Sequence, residues 1–571
     1  MRNYRLWLKL ALVSAFIIFT NVGFLGRIQL LWGQTRYDTL IGFIGIWLIA
    51  VVAIFAVAFQ PRWPWRLGWA LVLSATAAFA AAYYAISGSD FSVFDFVSLW
   101  NARHEAGRAA DFYGIQLLHT AGLVFVAGLV AMGFSAPLTS ARARVWASRL
   151  ALLPILPFAA IAGIVLLKSG GGYQALPRQF APLSVAAVAA TKVATQGGHA
   201  RGEVAWAPDA QKRVKSIIFL VDESVRADYL DFSADNPFTP DLPKLKANFV
   251  DFGPATSGGN CSHYSNVILR SGARRDDLTV SINESPFIWS YAKKAGYRTI
   301  FVDAQGAVVK DPSRLTNFMT VNEARNIDRY VSLNNVPPEQ ADFELIKIIA
   351  EETKGNQPIF LYANKNGAHF PYDATYPKDR AIFGPTMTED GTEASFEDKT
   401  HRMASYRNSI AWSVDQFFVR FFQEVDLSNL AVVYTSDHGQ AIAEGKLTHC
   451  TIENANPREG LVPLLAFASD PTIRQELEAG AKAGYLRASH FTIAPGILEM
   501  MGYRRSDIAQ YYSESLFTAP KGEPAFSSGD IFGMFSKDVL WHPVDLAKDY
   551  REPEAMALRP RTPALAASVS K

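Results

Sequence analysis

At 571 residues the chain is too long for one ordinary core, so at least two domains are expected. Its 55 Lys and Arg nearly balance 53 Asp and Glu, without the basic excess that marks a nucleic-acid partner, and none is expected. Charged residues make up only 19 % and hydrophobic ones 49 %, which fits a chain that is part membrane and part soluble.

Apolar runs long enough to cross about 30 Å of hydrocarbon occupy residues 8–32, 39–59, 67–87, 115–137 and 149–168. The first follows "MRNYR" but has no small-residue cleavage pattern, and four more runs come after it. It therefore reads as a retained span, not a signal peptide. Residues 1–168 are thus expected to form a transmembrane domain of five spans. Arg2, Arg5, Lys9, Arg62, Arg66, Arg142, Arg144 and Arg149 sit on alternate loops, which puts the N-terminus in the cytoplasm and everything after the fifth span outside. In a Gram-negative bacterium this describes a multi-pass inner-membrane protein with a periplasmic C-terminal domain.

Residues 169–213 read as a connector. Glycine clusters break it, and "FAPLSVAAVAATKVA" has the composition of an interfacial helix.

From residue 214 to 571 short apolar runs alternate with amphipathic helical patterns, which predicts a mainly parallel sheet with helices on both faces. The runs are "KSIIFLVDES", "YRTIFVDAQG", "QPIFLYANKNGAH", "LAVVYTSDHG" and "LVPLLAFAS". Ligands in such sheets lie beyond the carboxyl ends of the strands. There the sequence places Asp222 and Glu223, Asp303, His369, and the adjacent pair Asp437 and His438, with His449 soon after. Asp, Glu and His are suitable Zn²⁺ ligands. A glycine-rich turn rich in hydroxyls, "ATSGGNCSHYSN" (residues 255–266), lies between the first two of these runs. A serine hydroxyl held beside a dication loses its proton more readily and becomes a nucleophile.

Taken in this order, the motifs resemble the membrane phosphoethanolamine transferases of the alkaline-phosphatase/sulfatase superfamily, of the lipid A phosphoethanolamine transferase type. The matching segments are "LVDESVRAD", "CSHYSN", "NGAHFPYDATYP" and the intact Ser436–Asp437–His438–Gly439. The resemblance implies an α/β sulfatase/alkaline-phosphatase-like domain over residues 214–571. It makes Ser262 the catalytic nucleophile and Glu223, Ser262, Asp437 and His438 the metal ligands. His369 and His449 would bind substrate or a second metal. The implied cofactor is Zn²⁺, with one tight site and room for a second. The implied reaction moves phosphoethanolamine from phosphatidylethanolamine to an envelope lipid or glycan, such as lipopolysaccharide, through a phospho-serine. Phosphoglycerol transfer, ester hydrolysis of the sulfatase kind, and an inactive envelope-synthesis scaffold are the alternatives. Cys261 lacks the Cys-x-Pro-x-Arg context of a sulfatase nucleophile.

Three features depart from the family pattern. The nucleophile is Ser where Thr is usual. The two cysteines allow one disulfide at most, where relatives often have several. The tail from about residue 520 has no counterpart. Cys261 adjoins Ser262 and Cys450 adjoins His449, so the two are expected to flank one pocket despite their separation in sequence.

Overall fold

The computed structural model describes residues 2–558 except 102–105, 136–139, 196–199, 210–212, 231, 234–235, 237, 306–314, 316, 390–397, 443–447 and 536–538. The chain divides into two compact units, Met1–Gly197 with Met534–Ser536, and Gly198–Gly533 with Lys537–Lys571.

The first unit is helical: α1 Arg2–Thr20, α2 Phe24–Gly33, α3 Tyr37–Ala58, α4 Trp63–Ser87, α5 Val93–Asn101, α6 Ala106–Gly133, α7 Ala141–Arg149, α8 Ile155–Leu167 and α9 Ala181–Thr195. Among the described residues Tyr37–Ala58, Trp63–Ser87 and Ala141–Leu167 are long and apolar enough to cross a membrane. The segments Tyr4–Thr20 and Phe24–Gly33, bent by 57°, make a fourth if they count as one broken span. The run 115–137 falls on α6, whose stretch Leu117–Gly133 is apolar but shorter than these; residues 136 and 137 lie outside the described ones.

Polar contacts define the two ends of this unit. At one, the buried Lys9 ammonium donates to the carbonyls of Met132 and Phe134, and Arg66 Nε donates to Gly133 O at 2.9 Å. Two cations thus neutralise the carboxyl end of α6. Gln60 Nε2 reaches Ala147 O at 2.9 Å and brings α7 to the same end. Here Arg5, Arg62, Arg142, Arg144 and Arg149 are exposed beside exposed Trp7, Trp63, Trp65 and Trp146. Residues 1–20, 59–69 and 134–152 contain no Asp or Glu. At the other end Asn21, Gln179 and Thr20 form a buried network, and Arg178 pairs with Asp90 at 3.2 Å. Helix α9 buries Val185 and Val188 there, and Ser184 Oγ donates to Phe158 O of α8 at 3.1 Å.

The second unit is built on a seven-stranded sheet. Its strands are β1 Ser216–Asp222, β2 Val250–Thr256, β3 Arg298–Asp303, β4 Arg329–Ser332, β5 Ile359–Asn364, β6 Leu430–Ser436 and β7 Leu461–Ala468, in the order β2-β7-β6-β1-β5-β3-β4. Strands β6, β1, β5, β3 and β4 are mutually parallel, and β7 runs antiparallel to both β6 and β2. This is the mainly parallel sheet that the alternating pattern predicts. Every residue of β1, β5, β6 and β7 is buried. That explains why these segments read as continuous apolar runs and not as alternating ones.

The tail belongs to this unit. Strands β8 Ala525–Gly529 and β9 Val539–Pro543 form an antiparallel pair. Farther on, Glu552 accepts from the fully buried Arg226 at 2.6 Å and from the Tyr229 hydroxyl at 3.1 Å. Arg226 also pairs with Asp228 and donates to Tyr550 O at 2.9 Å. Removing one member of such a buried network leaves a charge without its partner. Glu552→Ala is therefore expected to destabilise the unit by about 3 kcal/mol, read as a lower urea midpoint for loss of its tryptophan signal. An unchanged midpoint would mean that the tail only rests on the domain.

Candidate active site

Strands β1 and β6 are adjacent and parallel, with Asp222 opposite Ser436. The next residue on each, Glu223 and Asp437, therefore leaves the sheet at the same level. The Asp437 amide donates to Asp222 O at 2.8 Å and holds that level. Asp437 Oδ1 accepts from the amides of Ser224 (3.1 Å) and His438 (2.7 Å). Ser224 has φ +62°, a left-handed conformation that is costly for a residue with a side chain and often marks a functional site. Its hydroxyl donates to Glu223 Oε1 at 2.7 Å. Gly439 allows the chain to turn away here, since a Cβ at that position would stand 2.1 Å from Arg458 O.

The glycine-rich turn leads into helix α10, Ser262–Ser271. Ser265 Oγ accepts from Gly259 N at 3.0 Å and donates to Gly259 O at 2.7 Å, closing the turn on the helix. Ser262 is the first residue of α10, where backbone amides and the helix dipole favour an anion. Its Oγ lies 3.2 Å from Glu223 Oε1 and 3.1 Å from His438 Nε2. Asn266, one turn on, donates to Ser262 O at 3.0 Å and accepts from the Tyr362 hydroxyl at 2.9 Å.

Glu223, Asp437 and His438, all buried, offer ligand atoms within 4.8 Å of one another. His438 Nε2 lies 3.3 Å from Glu223 Oε1, while Nδ1 donates to Gly439 O at 2.8 Å. That second bond fixes the ring and turns Nε2 toward the carboxylates, as in histidines that bind metal. Gln305 Nε2 donates to Glu223 Oε2 at 3.1 Å, leaving Oε1 to face the cluster. His449 stacks on His438 with ring centroids 4.5 Å apart and planes inclined by 19°. His369 acts electrostatically on both Glu223 and His449.

The charges in this cluster do not balance. Burial opposes ionisation of Glu223, but the hydrogen bond and charge of His438, with the charge of His369, hold its carboxyl below the usual range. Burial and the neighbouring charge of Glu223 push Asp437 well up. Burial also opposes the His438 imidazolium, yet the charges of Asp437 and Glu223 outweigh it and raise the ring to about 9. Without a cation, then, this site retains protons. Two carboxylates, one imidazole nitrogen and a serine oxygen converging on one buried point match the donors that Zn²⁺ takes. The residues fit such an ion.

A family model described as Sulfatase matches residues 215–503, just over half of the chain. The chain belongs to the sulfatase family. It is 24 % identical over 261 residues to Kdo(2)-lipid A phosphoethanolamine 7''-transferase of Salmonella typhimurium, covering 44 % of each chain. It is 22 % identical over 317 residues to phosphatidylethanolamine transferase Mcr-2 of Escherichia coli, covering 53 % of this chain and 56 % of that one. The chain thus spans about half the length of the curated relatives it matches. Among solved structures, the integral membrane lipooligosaccharide phosphoethanolamine transferase A of Neisseria meningitidis superposes with a TM-score of 0.63 at 14 % identity. The match covers 89 % of this chain and 99 % of that one. That likeness shows a shared fold, with a membrane domain and a sulfatase-like domain.

The structure brings Glu223, Ser262, Asp437 and His438 to one point, with His449 against them. Asp222 faces elsewhere: its Oδ2 accepts from buried Lys365 at 2.7 Å and from the Tyr434 hydroxyl at 2.9 Å. Asp303 accepts from the Gln305 amide at 2.9 Å and from the Tyr330 hydroxyl at 3.3 Å. His490 braces the site from behind. Its Nδ1 accepts from Gly258 N at 3.0 Å, and its Nε2 donates to Ser436 O at 2.9 Å. Sequence reasoning missed Ser224, Gln305 and the contribution of the tail. Ser527 N donates to Gly258 O at 3.0 Å, and Tyr264 donates to Gly529 O at 3.1 Å, so β8 supports the turn before Ser262. In sequence the tail from about residue 520 reads without a counterpart, and nothing local in "AFSSG" says what it pairs with.

Two pH effects follow. Metal binding must displace protons from Asp437 and His438, so Zn²⁺ affinity should rise with pH between 5 and 8, by about tenfold per unit for each proton released. Competition with a chromophoric chelator reads this; an affinity flat over that range would show that the cluster is not the metal site. Separately, burial lowers His490 to about 3, while an unfolded histidine titrates near 6.5. Its stabilising contribution is complete above pH 6.5 and is lost as pH falls from 6.5 toward 3, at about 1.4 kcal/mol per unit. The unfolding free energy of His490→Gln should therefore fall less steeply with acid than that of the natural chain. Equal slopes would remove His490 from the account.

Proposed function

We propose that this chain is a membrane-anchored, zinc-dependent transferase that moves phosphoethanolamine from phosphatidylethanolamine to an envelope lipid or glycan. The observation that carries the reading is the Ser262 hydroxyl, at the start of a helix and within 3.2 Å of both Glu223 Oε1 and His438 Nε2. The names of the curated relatives, two Kdo(2)-lipid A phosphoethanolamine 7''-transferases and a phosphatidylethanolamine transferase, support the transferred group and favour a lipid A-type acceptor.

Glu223, Ser262, Asp437 and His438 would hold the ion. When bound, Zn²⁺ supplies Lewis acidity and lowers the proton affinity of the Ser262 hydroxyl. Ser262 Oγ attacks the donor phosphorus, and the bond from phosphorus to the diacylglycerol oxygen breaks. Amides at the start of α10 face the phosphoryl oxygens and stabilise the charge that develops there. His449, kept neutral by burial, donates a hydrogen bond to the phosphate; the proton that leaves Ser262 passes to solvent, and His369 in its protonated form gives one to the leaving oxygen. Ser262 then carries the phosphoethanolamine until an acceptor hydroxyl or phosphate attacks it and frees the serine.

The helical unit would tether the catalytic unit to the membrane that holds the donor lipid. Five spans with a cytoplasmic N-terminus are the topology we infer. It is supported by the end of the unit where exposed arginines and tryptophans gather without any acid, as expected of a cytoplasmic interface. The catalytic domain is then periplasmic.

Ser262→Ala in the full-length protein should retain zinc and lose transfer. The natural enzyme given phosphatidylethanolamine without acceptor should release diacylglycerol. It should also gain a phosphoethanolamine mass on the peptide containing Ser262, sampled early and cold. Transfer by the Ser262→Ala protein at the natural rate would refute the nucleophile. A phosphoglycerol mass appearing with phosphatidylglycerol in its place would change the donor.

A further inference from the structure

Cys261 and Cys450 are bonded, with Cα atoms 4.8 Å apart across 189 positions of sequence. The residues next to this bond are Ser262, whose hydroxyl lies 3.1 Å from His438 Nε2, and His449, whose ring stacks on that same histidine with centroids 4.5 Å apart. Cys261 is the cap residue of α10, and its carbonyl accepts from the amides of Tyr264 and Ser265, both at 3.0 Å. Cys450 follows His449 directly and turns at φ +63°.

Among the described residues, few other contacts hold the His449 ring. Its described hydrogen bond, Nδ1 to Thr448 Oγ1 at 3.0 Å, stays within its own loop, and its other described contact is the stack on His438. The backbones around the disulfide are tied independently of sulfur. Cys450 N donates to Asn260 O at 2.9 Å, Asn260 Nδ2 donates to Thr451 O at 2.7 Å, and Glu459 accepts from both Asn260 Nδ2 and Thr451 N. These bonds would keep the two segments adjacent without the disulfide. They would not fix where the His449 ring stands relative to Ser262 Oγ.

We propose that the Cys261–Cys450 bond is a positioning element of the reaction centre. It sets His449 against the phosphoryl site that opens at Ser262, and the chemical step, more than the fold, depends on it. The role given to His449 rests on the transferase reading above; the positioning itself does not.

The test uses the full-length protein carrying Cys261→Ala and Cys450→Ala, loaded with Zn²⁺ or Co²⁺, beside His449→Ala and the triple variant. Misplacing a reacting group by about 1 Å can cost up to a hundredfold. The double variant is accordingly expected to lose about tenfold or more in kcat while KM and bound zinc stay close to the natural values and the protein stays folded at the assay temperature, with an unfolding midpoint lowered only by the loop the bond no longer closes. His449→Ala should cost a similar factor, and the triple variant little more than either, because the bond and the ring act as one unit. The visible spectrum of the Co²⁺ protein should change on loss of the bond, and amide exchange should quicken around residues 448–451 and 260–263 only. The proposal fails if kcat of the double variant stays within about twofold of natural, if the losses multiply as they do for independent sites, or if zinc or the fold is lost along with activity. If the natural protein turns over no donor, the transferase reading fails on its own, and the Co²⁺ spectrum and amide exchange still decide the positioning.

Discussion

The register between two central parallel strands determines everything at the carboxyl edge of this sheet. Asp222 opposite Ser436 brings Glu223 level with Asp437, and the Asp437 amide is bonded to the Asp222 carbonyl at that step. Side chains alternate across a strand, so successive residues serve opposite purposes. Asp222 turns to Lys365 and Tyr434, while Glu223 turns to Ser262 and His438. A slip of one residue would exchange these two carboxylates, sending the one meant for chemistry to the buried ammonium. Lys365 guards against the slip. It has no exposed surface and also donates to Ser413 O at 2.7 Å, within the π-helical turn Ala411–Gln416, so it has one place to go.

The buried charges of the domain divide into two kinds. Arg226 has Asp228 and Glu552, Arg270 has Glu323, and Lys365 has Asp222, each within ordinary ion-pair distance. Such pairs withstand burial because each charge meets its opposite. Glu223 and Asp437 have no lysine or arginine partner among the described ion pairs and share one histidine. Asp415, also buried, accepts instead from the amides of Asp241 and Leu242. Two carboxylates and a histidine gathered within 4.8 Å leave negative charge that the zinc of the proposed reading would offset.

Much of this was legible from sequence, for identifiable reasons. Strands buried on both faces are uninterrupted apolar runs, so β1, β5, β6 and β7 announced themselves, and polar residues immediately after them could only lie at the edge of the sheet. Adjacent Asp437 and His438 needed no long-range information. What could not be read depends on partners distant in the chain. Gln305 acts on Glu223 and Ser527 on Gly258, and neither residue has a local pattern that distinguishes it from any other turn or strand residue. Nothing local in "LVDESVRAD" marks Ser224, whereas its positive φ and two contacts make it part of the junction between β1 and β6. The bend between α1 and α2 was hidden for a different reason: an apolar run gives length but not direction.

Ser262, the proposed nucleophile where the resembled family usually has threonine, gains meaning from these same contacts. A β-branched threonine has its χ1 restricted by its own methyl group, and so presents its hydroxyl in few directions before any neighbour acts. Serine lacks that restriction and must be aimed from outside. Here Glu223 and His438 hold the Ser262 hydroxyl from two directions, Asn266 holds its carbonyl, and the preceding turn is closed by Ser265 and supported by β8. The tail strands and the unbranched Ser262 therefore belong to one solution. Orientation that a methyl group would have provided locally is supplied by hydrogen bonds from residues 39 and 176 positions away and by the packing of β8 from the tail.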